Sequence, residues 1–288
     1  MRYSRLPLAL ASLFATSLFA QTPAAPKVDF PAPSPTATLK QRVGLTDIEI
    51  VYSRPGVKGR VIFGGLEPWG EVWRAGANSA TKVTFSTPVK IGGTEVPAGS
   101  YGLFAQLGQD EWMIIFNKIS AQWGAYKYDP KDDVVRVAAK PVKLTQPVET
   151  FTIDVNDIRD ESATLNLSWE NTRVSVPLGF DVVSRIVPQI EAVMATPGGK
   201  KPYLAAALFY LEHNLDLKRA VGWMDAAIAE QPTGYYLHYR KAKILAAMGD
   251  KAGAIATANQ SIELAKADTG PAKDEYIRLN EALLASLK

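Results

Sequence analysis

The chain of 288 residues carries 32 Lys and Arg against 29 Asp and Glu, and it has no cysteine. Without cysteine there are no disulfides, no thiol catalysis and no lipid-modified cysteine. The near balance of charge excludes the basic surface that nucleic-acid-binding proteins use, and the 47% of apolar residues is enough for two packed cores.

The first segment has the pattern of an export signal. Arg2 and Arg5 precede an uncharged apolar run over residues 6–20. This predicts a signal peptide over residues 1–20 with cleavage near Ala20, because a run of about fifteen residues is shorter than the roughly twenty that span a bilayer. An uncleaved membrane anchor is the alternative. Cleavage leaves 30 basic residues against 29 acidic ones, so a nearly neutral, periplasmic or secreted protein is expected.

Residues 21–37 are rich in proline and alanine, which predicts a flexible, partly extended linker. From residue 38 to 180 the dominant hydrophobic period is two, as where Val83 and Phe85 alternate with Thr84 and Ser86. Turn signals separate the segments, and no long amphipathic helix interrupts them. We therefore predict an all-β, antiparallel sandwich of eight or nine strands, with a barrel as the alternative. The expected strands cover residues 48–52, 82–87, 89–91, 101–107, 112–117, 134–139, 148–155, 163–169 and 173–178, with a turn at Glu170 and Asn171.

After Pro177 the pattern becomes alanine-rich helix, with a connecting helix and linker over residues 181–201. Within residues 202–288 a period of 34 residues appears, relating Asp216 to Asp250 and Ala220 to Ala254. This period is the spacing of tetratricopeptide repeats, in which small residues let paired helices approach closely. We expect an all-α helical-repeat domain, capped by a helix over residues 274–287, that binds a protein or peptide partner.

Several long motifs in residues 38–178 occur in the order of a known family. They are VGLTDIEIVYSRPGVKGRVIFGGLEPWGEVWRAGANSATKVTFS, VPAGSYGLFA, WMIIFNK and QWGAYKYD. The segment resembles an uncharacterised bacterial envelope family, domain of unknown function 2911. The resemblance implies an exported protein, in some members followed by helical repeats, and it implies no activity.

Residues 52–81 concentrate Gly, Arg, Lys and Trp between strands, a composition suited to a loop around a ligand. Its cations are suited to a carboxylate, phosphate or sulfate, because guanidinium groups bind such anions in a bidentate manner. A structural role is the alternative, in which the cations hydrogen-bond loop carbonyls, stack on rings or pair with Glu67 and Glu71. Arg74 and Asn78 are the pair expected to bind an anion.

Aromatic residues in and near this loop suggest a platform for a sugar ring, and the alternative is that they plug the core. For Trp73 and Trp123 both alternatives stay open, whereas Trp112 and Trp169 are expected in the core. The complete set of predicted ligand-binding residues is Arg54, Lys58, Arg60, Trp69, Trp73, Arg74, Asn78, Trp123 and Tyr126.

The two histidines, His213 and His238, lie in the helical half, which excludes a Ser-His-Asp centre from the β-domain. Paired carboxylates are the remaining catalytic apparatus, since glycosidases use two acids and no histidine. The candidate acids are Glu67, Glu71, Asp129, Asp132 and Asp133. The sequence predicts no cofactor and no metal. The leading hypothesis is a non-enzymatic exported binding or adaptor protein for a small polar ligand, a glycan or a protein, and the alternative is a carbohydrate-active hydrolase. A third possibility is an envelope-assembly component with no ligand site, in which the loop only closes one end of the sandwich.

Overall fold

The computed structural model describes residues 28–288, so the predicted signal peptide and most of the predicted linker lie outside the described residues. An antiparallel β-domain is followed by a bundle of helices, which confirms the predicted fold class. The strands are β1 Thr36–Val43, β2 Thr46–Ser53, β3 Val72–Trp73, β4 Ala77–Phe85, β5 Val89–Ile91, β6 Thr94–Val96, β7 Gly99–Gln106, β8 Trp112–Asn117, β9 Asp133–Ala139, β10 Val142–Asn156 and β11 Ser162–Phe180.

The strands form two sheets that face each other. Strands β1, β2, β4, β7, β8 and β9 lie in that order in one sheet, with β3 paired to the end of β7. The second sheet has the order β10, β11, β5, β6. Buried apolar residues from both sheets form one shared core, as in other sandwiches.

The described residues contain eleven strands rather than eight or nine, and two differences have a clear cause. Strand β1 begins at Thr36, inside the predicted linker. The sequence does not indicate this strand, because its side chains are only half-buried and its apolar pattern is weak. The turn predicted at Glu170 is wrong, since β11 continues through it. Glu170 has φ +53° and pairs with Val148 at a register shift, so the strand bends there without leaving the sheet.

Aromatic side chains fill one end of the core. Trp73 stacks on Trp169 with 5.8 Å between ring centroids and meets Trp112 edge-on at 6.4 Å. Phe63, from the long segment between β2 and β3, lies 4.6 Å from Trp112. All three Trp side chains are fully buried, so this end of the sandwich is closed by packing.

The helical part has six helices: α1 Val183–Ala195, α2 Tyr203–Glu212, α3 Leu217–Glu230, α4 Tyr235–Ala247, α5 Lys251–Ala267 and α6 Lys273–Ser286. From α2 onward, consecutive helices pack on each other. The residues related by the 34-residue period have matching structural roles. Asp216 and Asp250 are the N-caps of α3 and α5, each accepting backbone N–H bonds, and Ala220 and Ala254 are both fully buried.

The two parts of the chain share a packed boundary. Val182, Ile186 and Phe209 contact the core of the sandwich, while Val187 and Ile190 on the next turns of α1 contact the core of the helices. Helix α1 therefore packs against both parts. Within residues 28–288, no helix is long and apolar enough to cross a membrane.

Candidate functional site

The segment between β2 and β3, residues 54–71, closes the aromatic end of the sandwich. Its backbone is ordered by main-chain bonds to β10, from Val57 N to Glu149 O at 2.7 Å and from Phe151 N to Pro55 O at 2.9 Å. Ile62, within this segment, is completely buried in the sandwich core. We call this segment, together with β3 and residues 74–76, the cation loop.

Three of the four cations predicted to bind an anion hold backbone or hydroxyl oxygens of the protein itself. Arg54 donates from Nε to Phe151 O at 3.0 Å and from Nη2 to Thr152 Oγ1 at 2.8 Å. Arg60 donates to Val57 O at 3.0 Å and to Gly56 O at 2.6 Å. The ammonium of Lys58 donates to Pro33 O at 3.2 Å. These groups stabilise the loop, which is the structural alternative.

The two tryptophans of this loop have different environments. Trp73 is only 2% exposed and donates from Nε1 to Gly76 O at 3.0 Å, so the structure places it in the core, where the plug alternative expects it. Trp69 is 39% exposed and lies over Gly64. A Cβ at Gly64 would fall 2.3 Å from the Trp69 indole nitrogen, so glycine is required for this contact.

Arg74 and Glu67 form the part of the cation loop with unusual electrostatics. Burial raises the pKa of the Glu67 carboxyl to about 7, and the positive charges of Arg74 and Arg60 only partly oppose this. The buried Nε of Arg74 has no hydrogen-bond partner among the described residues. Glu67 is therefore a carboxyl that changes its charge near neutral pH, within the field of a guanidinium whose hydrogen bonding is incomplete.

A second surface lies where residues 119–128, the aromatic loop, run along the start of β4. Two main-chain bonds fix it there, from Ala80 N to Gln122 O and from Gly124 N to Asn78 O, both at 2.9 Å. Ser79 and Trp123 form a bridge between them. The loop is therefore held in place by backbone bonds.

The aromatic loop presents large side chains to solvent. Trp123 is 65% exposed and Tyr126 is 85% exposed. Asn78, with φ +59°, contacts this loop through its main-chain oxygen, while its Nδ2 donates to Ser53 Oγ at 3.3 Å and to Ser34 O at 3.4 Å. We define Asn78, Trp123 and Tyr126 as the aromatic surface. Sequence reasoning found these three residues, but it did not identify Ser79, Gln122 and Gly124, whose role is carried by the backbone and leaves no side-chain signal.

The acidic turn after the aromatic loop is structural. Asp133 accepts from Tyr128 Oη at 2.7 Å and from Arg136 Nη1 at 2.8 Å, and burial with this contact raises the pKa of Tyr128 to about 12. Asp129 caps a short 3₁₀ turn by accepting from Lys131 N at 3.0 Å. Both carboxylates support the base of the aromatic loop.

Comparison with known proteins gives a family and no activity. No curated protein and no solved structure matches the chain. A family model described as "Protein of unknown function (DUF2911)" matches residues 34–178. The match covers half of the chain and all eleven strands, apart from the last two residues of β11. The chain therefore belongs to the family described as Protein of unknown function (DUF2911).

Proposed function

We propose that the protein is a non-enzymatic exported binding protein whose aromatic surface holds a polar ligand, with a glycan as the preferred class. The observation that carries the proposal is the exposure of Trp123 and Tyr126 on a loop whose backbone is fixed to β4, where the main-chain oxygen of Asn78 accepts from Gly124 N. The flat apolar face of a sugar ring packs on an aromatic plane, and an amide bonds its hydroxyl groups.

The energetics of the loop support this function. Aromatic side chains that stay mostly in water contribute little to the stability of the fold, so Trp123 and Tyr126 are available for an interaction. Because the loop is already ordered, a ligand does not have to offset the entropy of fixing it.

The test is binding of the protein to an immobilised panel of envelope and plant oligosaccharides, measured for the wild type and for the variants Trp123→Ala and Asn78→Ala. Loss of a central aromatic contact costs about 2 kcal/mol, so we expect Trp123→Ala to weaken binding about thirtyfold. Trp69→Ala is the matched control, since it removes another partly exposed indole outside the aromatic surface. Absence of binding across the panel, or equal loss in Trp69→Ala, would contradict the proposal.

The hydrolase alternative has one observation in its favour, the pKa of Glu67 near 7. A glycosidase general acid must be protonated near neutral pH, and burial produces such a group. Glu71, four residues away and exposed, would have to supply the second carboxylate. Turnover of any glycan in the panel that Glu67→Gln abolishes without unfolding would support this alternative, and the absence of turnover by the wild type would count against it.

For the helical part we propose a peptide-binding role. A groove of about 680 Å³ lies between α2, the end of α3 and the start of α4, with Tyr203, Leu208 and Tyr236 in its lining. Repeats of helix pairs commonly use such concave surfaces for protein contact. Leu208→Glu should remove cross-linking of the protein to a partner in envelope extracts, while Lys243→Glu, outside the groove, should not. An unchanged cross-linking pattern in Leu208→Glu would exclude this groove.

We propose a periplasmic or secreted location for the mature protein. Sequencing the N-terminus of protein recovered from the envelope fraction should give Gln21 as the first residue. Recovery of a chain that starts at Met1 would contradict export by cleavage.

A further inference from the structure

The middle of the cation loop is an exposed apolar surface. Residues 58–71 are exposed apart from Ile62, Phe63 and Glu67. Ile62 is buried in the sandwich core and Phe63 packs against that core, so these two side chains already anchor the segment. Three large apolar side chains stay in contact with solvent: Val61 is 68% exposed, Leu66 is 42% exposed and Trp69 is 39% exposed. We define these three residues as the apolar tip.

The apolar tip is one contiguous surface around two glycines. Val61 O accepts from Leu66 N at 2.9 Å, so these two residues lie across a tight turn. A Cβ at Gly65 would lie 2.5 Å from Val61 O, and a Cβ at Gly64 would lie 2.3 Å from the indole nitrogen of Trp69. The absence of side chains at both glycines therefore lets Val61 and Trp69 close on the same turn.

Main-chain bonds hold the apolar tip in place. The first part of the loop is bonded to β10, as described above, and the last part is bonded to Leu107, directly after β7. These last bonds run from Gly70 N to Leu107 O at 2.7 Å and from Leu107 N to Glu71 O at 3.2 Å. Within the turn, Glu67 N donates to Ile62 O at 2.9 Å. A partner therefore meets a preformed surface and does not have to offset the entropy of ordering it.

Positive charge is in slight excess around the apolar tip. Lys58 and Arg60 are exposed, and their hydrogen bonds go to carbonyl oxygens, which do not neutralise them. Burial raises the pKa of the Glu67 carboxyl to about 7, so this group carries only part of a negative charge at neutral pH. The charged groups near the tip are Lys58, Arg60 and Arg74 against Glu67, Glu71 and, from β10, Glu149.

We propose that the apolar tip enters the headgroup region of a lipid bilayer that contains anionic lipids. Tryptophan is enriched at membrane interfaces, and the long side chains of Lys58 and Arg60 can place their charges at lipid phosphates while apolar neighbours lie deeper. This surface is separate from the aromatic surface, and the proposal does not rest on glycan binding.

The size of the apolar tip favours a bilayer over a protein partner. Three partly exposed side chains offer far less than the roughly 800 Å² per partner that a stable protein interface buries. A protein partner would also need a surface fitted to this turn. A bilayer adapts to the shape of an inserted group, so a small and rigid apolar turn flanked by cations is sufficient.

The experiment is co-sedimentation of the mature protein with vesicles of phosphatidylcholine and phosphatidylglycerol in about equal parts. We expect binding that weakens as the ionic strength rises, because exposed charges are screened, and weaker binding to phosphatidylcholine alone. Val61→Ser with Leu66→Ser should weaken binding to the mixed vesicles at least about tenfold, since it removes apolar area that enters the bilayer. Ile158→Ser with Val193→Ser is the matched control, because it removes two exposed aliphatic side chains outside the loop, and it should bind as the wild type does.

A second measurement locates the inserted residue even if the double variant is unstable. Lipids brominated in the upper part of the acyl chain should quench the tryptophan fluorescence of the bound wild type. Trp69→Phe keeps an apolar ring, so it should still bind but lose most of this quenching. Loss of quenching in Trp123→Phe instead would overturn the proposal, because the aromatic surface would then be the part in the bilayer.

Three other results would overturn the proposal. They are absence of binding to the mixed vesicles, equal binding by the Val61→Ser, Leu66→Ser variant, and equal loss in the matched control. A tip variant that binds vesicles normally but loses a cross-link to an envelope protein would make the tip a protein contact, which also contradicts insertion.

Discussion

The cation loop and the aromatic loop lie on the same β-domain and differ in composition and in how their side chains are held. The cation loop is rich in charge, but Arg54, Lys58 and Arg60 hold oxygens of the protein and Trp73 fills the core. The aromatic loop is held by backbone bonds and leaves Trp123 and Tyr126 in solvent. The aromatic side chains of this domain that are mostly in water therefore lie on a loop that is fixed by main-chain bonds and by Tyr128 at its base, so Trp123 and Tyr126 themselves are not needed to hold it.

The strongest way to test this comparison is to make the same substitution in both loops. Trp73→Ala should lower the free energy of unfolding by about 3–5 kcal/mol, because it leaves a large cavity among Trp112, Trp169 and Phe151. Trp123→Ala should change it by less than about 0.5 kcal/mol, because the ring is mostly in water. Urea unfolding measures both. Similar losses for the two variants would break the distinction between the loops.

Arginine substitutions test whether the cations are structural. Arg54→Ala removes hydrogen bonds to Phe151 O and Thr152 Oγ1 in a half-buried site, and should cost about 1–3 kcal/mol. Arg60→Ala, exposed and bonded only within its own turn, should cost less than about 1 kcal/mol. Thermal unfolding of the two variants gives the comparison. A neutral Arg54→Ala would show that this guanidinium is available for a ligand after all.

The carboxyl of Glu67 should make the cation loop sensitive to pH. Its pKa is raised from 4.5 to about 7 on folding, so the folded protein binds the proton more tightly than the unfolded chain. The stability that this group contributes is present below pH 4.5 and is lost as the pH rises to about 7, by about 1–2 kcal/mol after allowance for solvent screening.

The measurement is the difference in unfolding free energy between the wild type and Glu67→Gln as a function of pH. The wild type should lose stability relative to the variant between pH 4.5 and 7. Glu71→Gln, a matched change at an exposed position, should keep the wild-type slope. Parallel curves for wild type and Glu67→Gln would show that Glu67 has an ordinary pKa.

Substitution of two glycines should give the smallest change in the free energy of unfolding. Gly59 in the cation loop and Gly124 in the aromatic loop have φ of +71° and +65°, so alanine at either should cost about 1 kcal/mol. At Gly59 a Cβ meets no atom within 4 Å, whereas at Gly124 it would lie 2.7 Å from the Tyr126 ring. Only Gly124→Ala should therefore displace Tyr126 and weaken glycan binding. Equal affinity of the two variants for the glycan would show that Tyr126 is not part of the binding surface.

Much of the fold was predictable, because several strands bury one face and their period-two patterns indicate it, as in β2. Strands Val89–Ile91 and Trp112–Asn117 match their predicted bounds. The bend at Glu170 was not predictable, since the Glu-Asn pair that signals a turn is here accommodated by one left-handed residue within a strand. Residue type also could not show that Trp73 is buried and Trp123 exposed, because burial depends on whether each side chain faces the second sheet.

The shared boundary at α1 has a consequence for the family as a whole. The family match ends at residue 178, yet the sandwich core continues through Phe180 and Val182 and receives Ile186 and Phe209 from the helices. A member that ended at the equivalent of residue 178 would carry an uncovered apolar patch at this end of its sheet. Such members must replace the patch with polar residues, cover it with a different C-terminal segment or bury it against a second molecule. The polarity of the residues at that end of the sheet should therefore indicate, from sequence, which relatives are monomers and which form a stable complex.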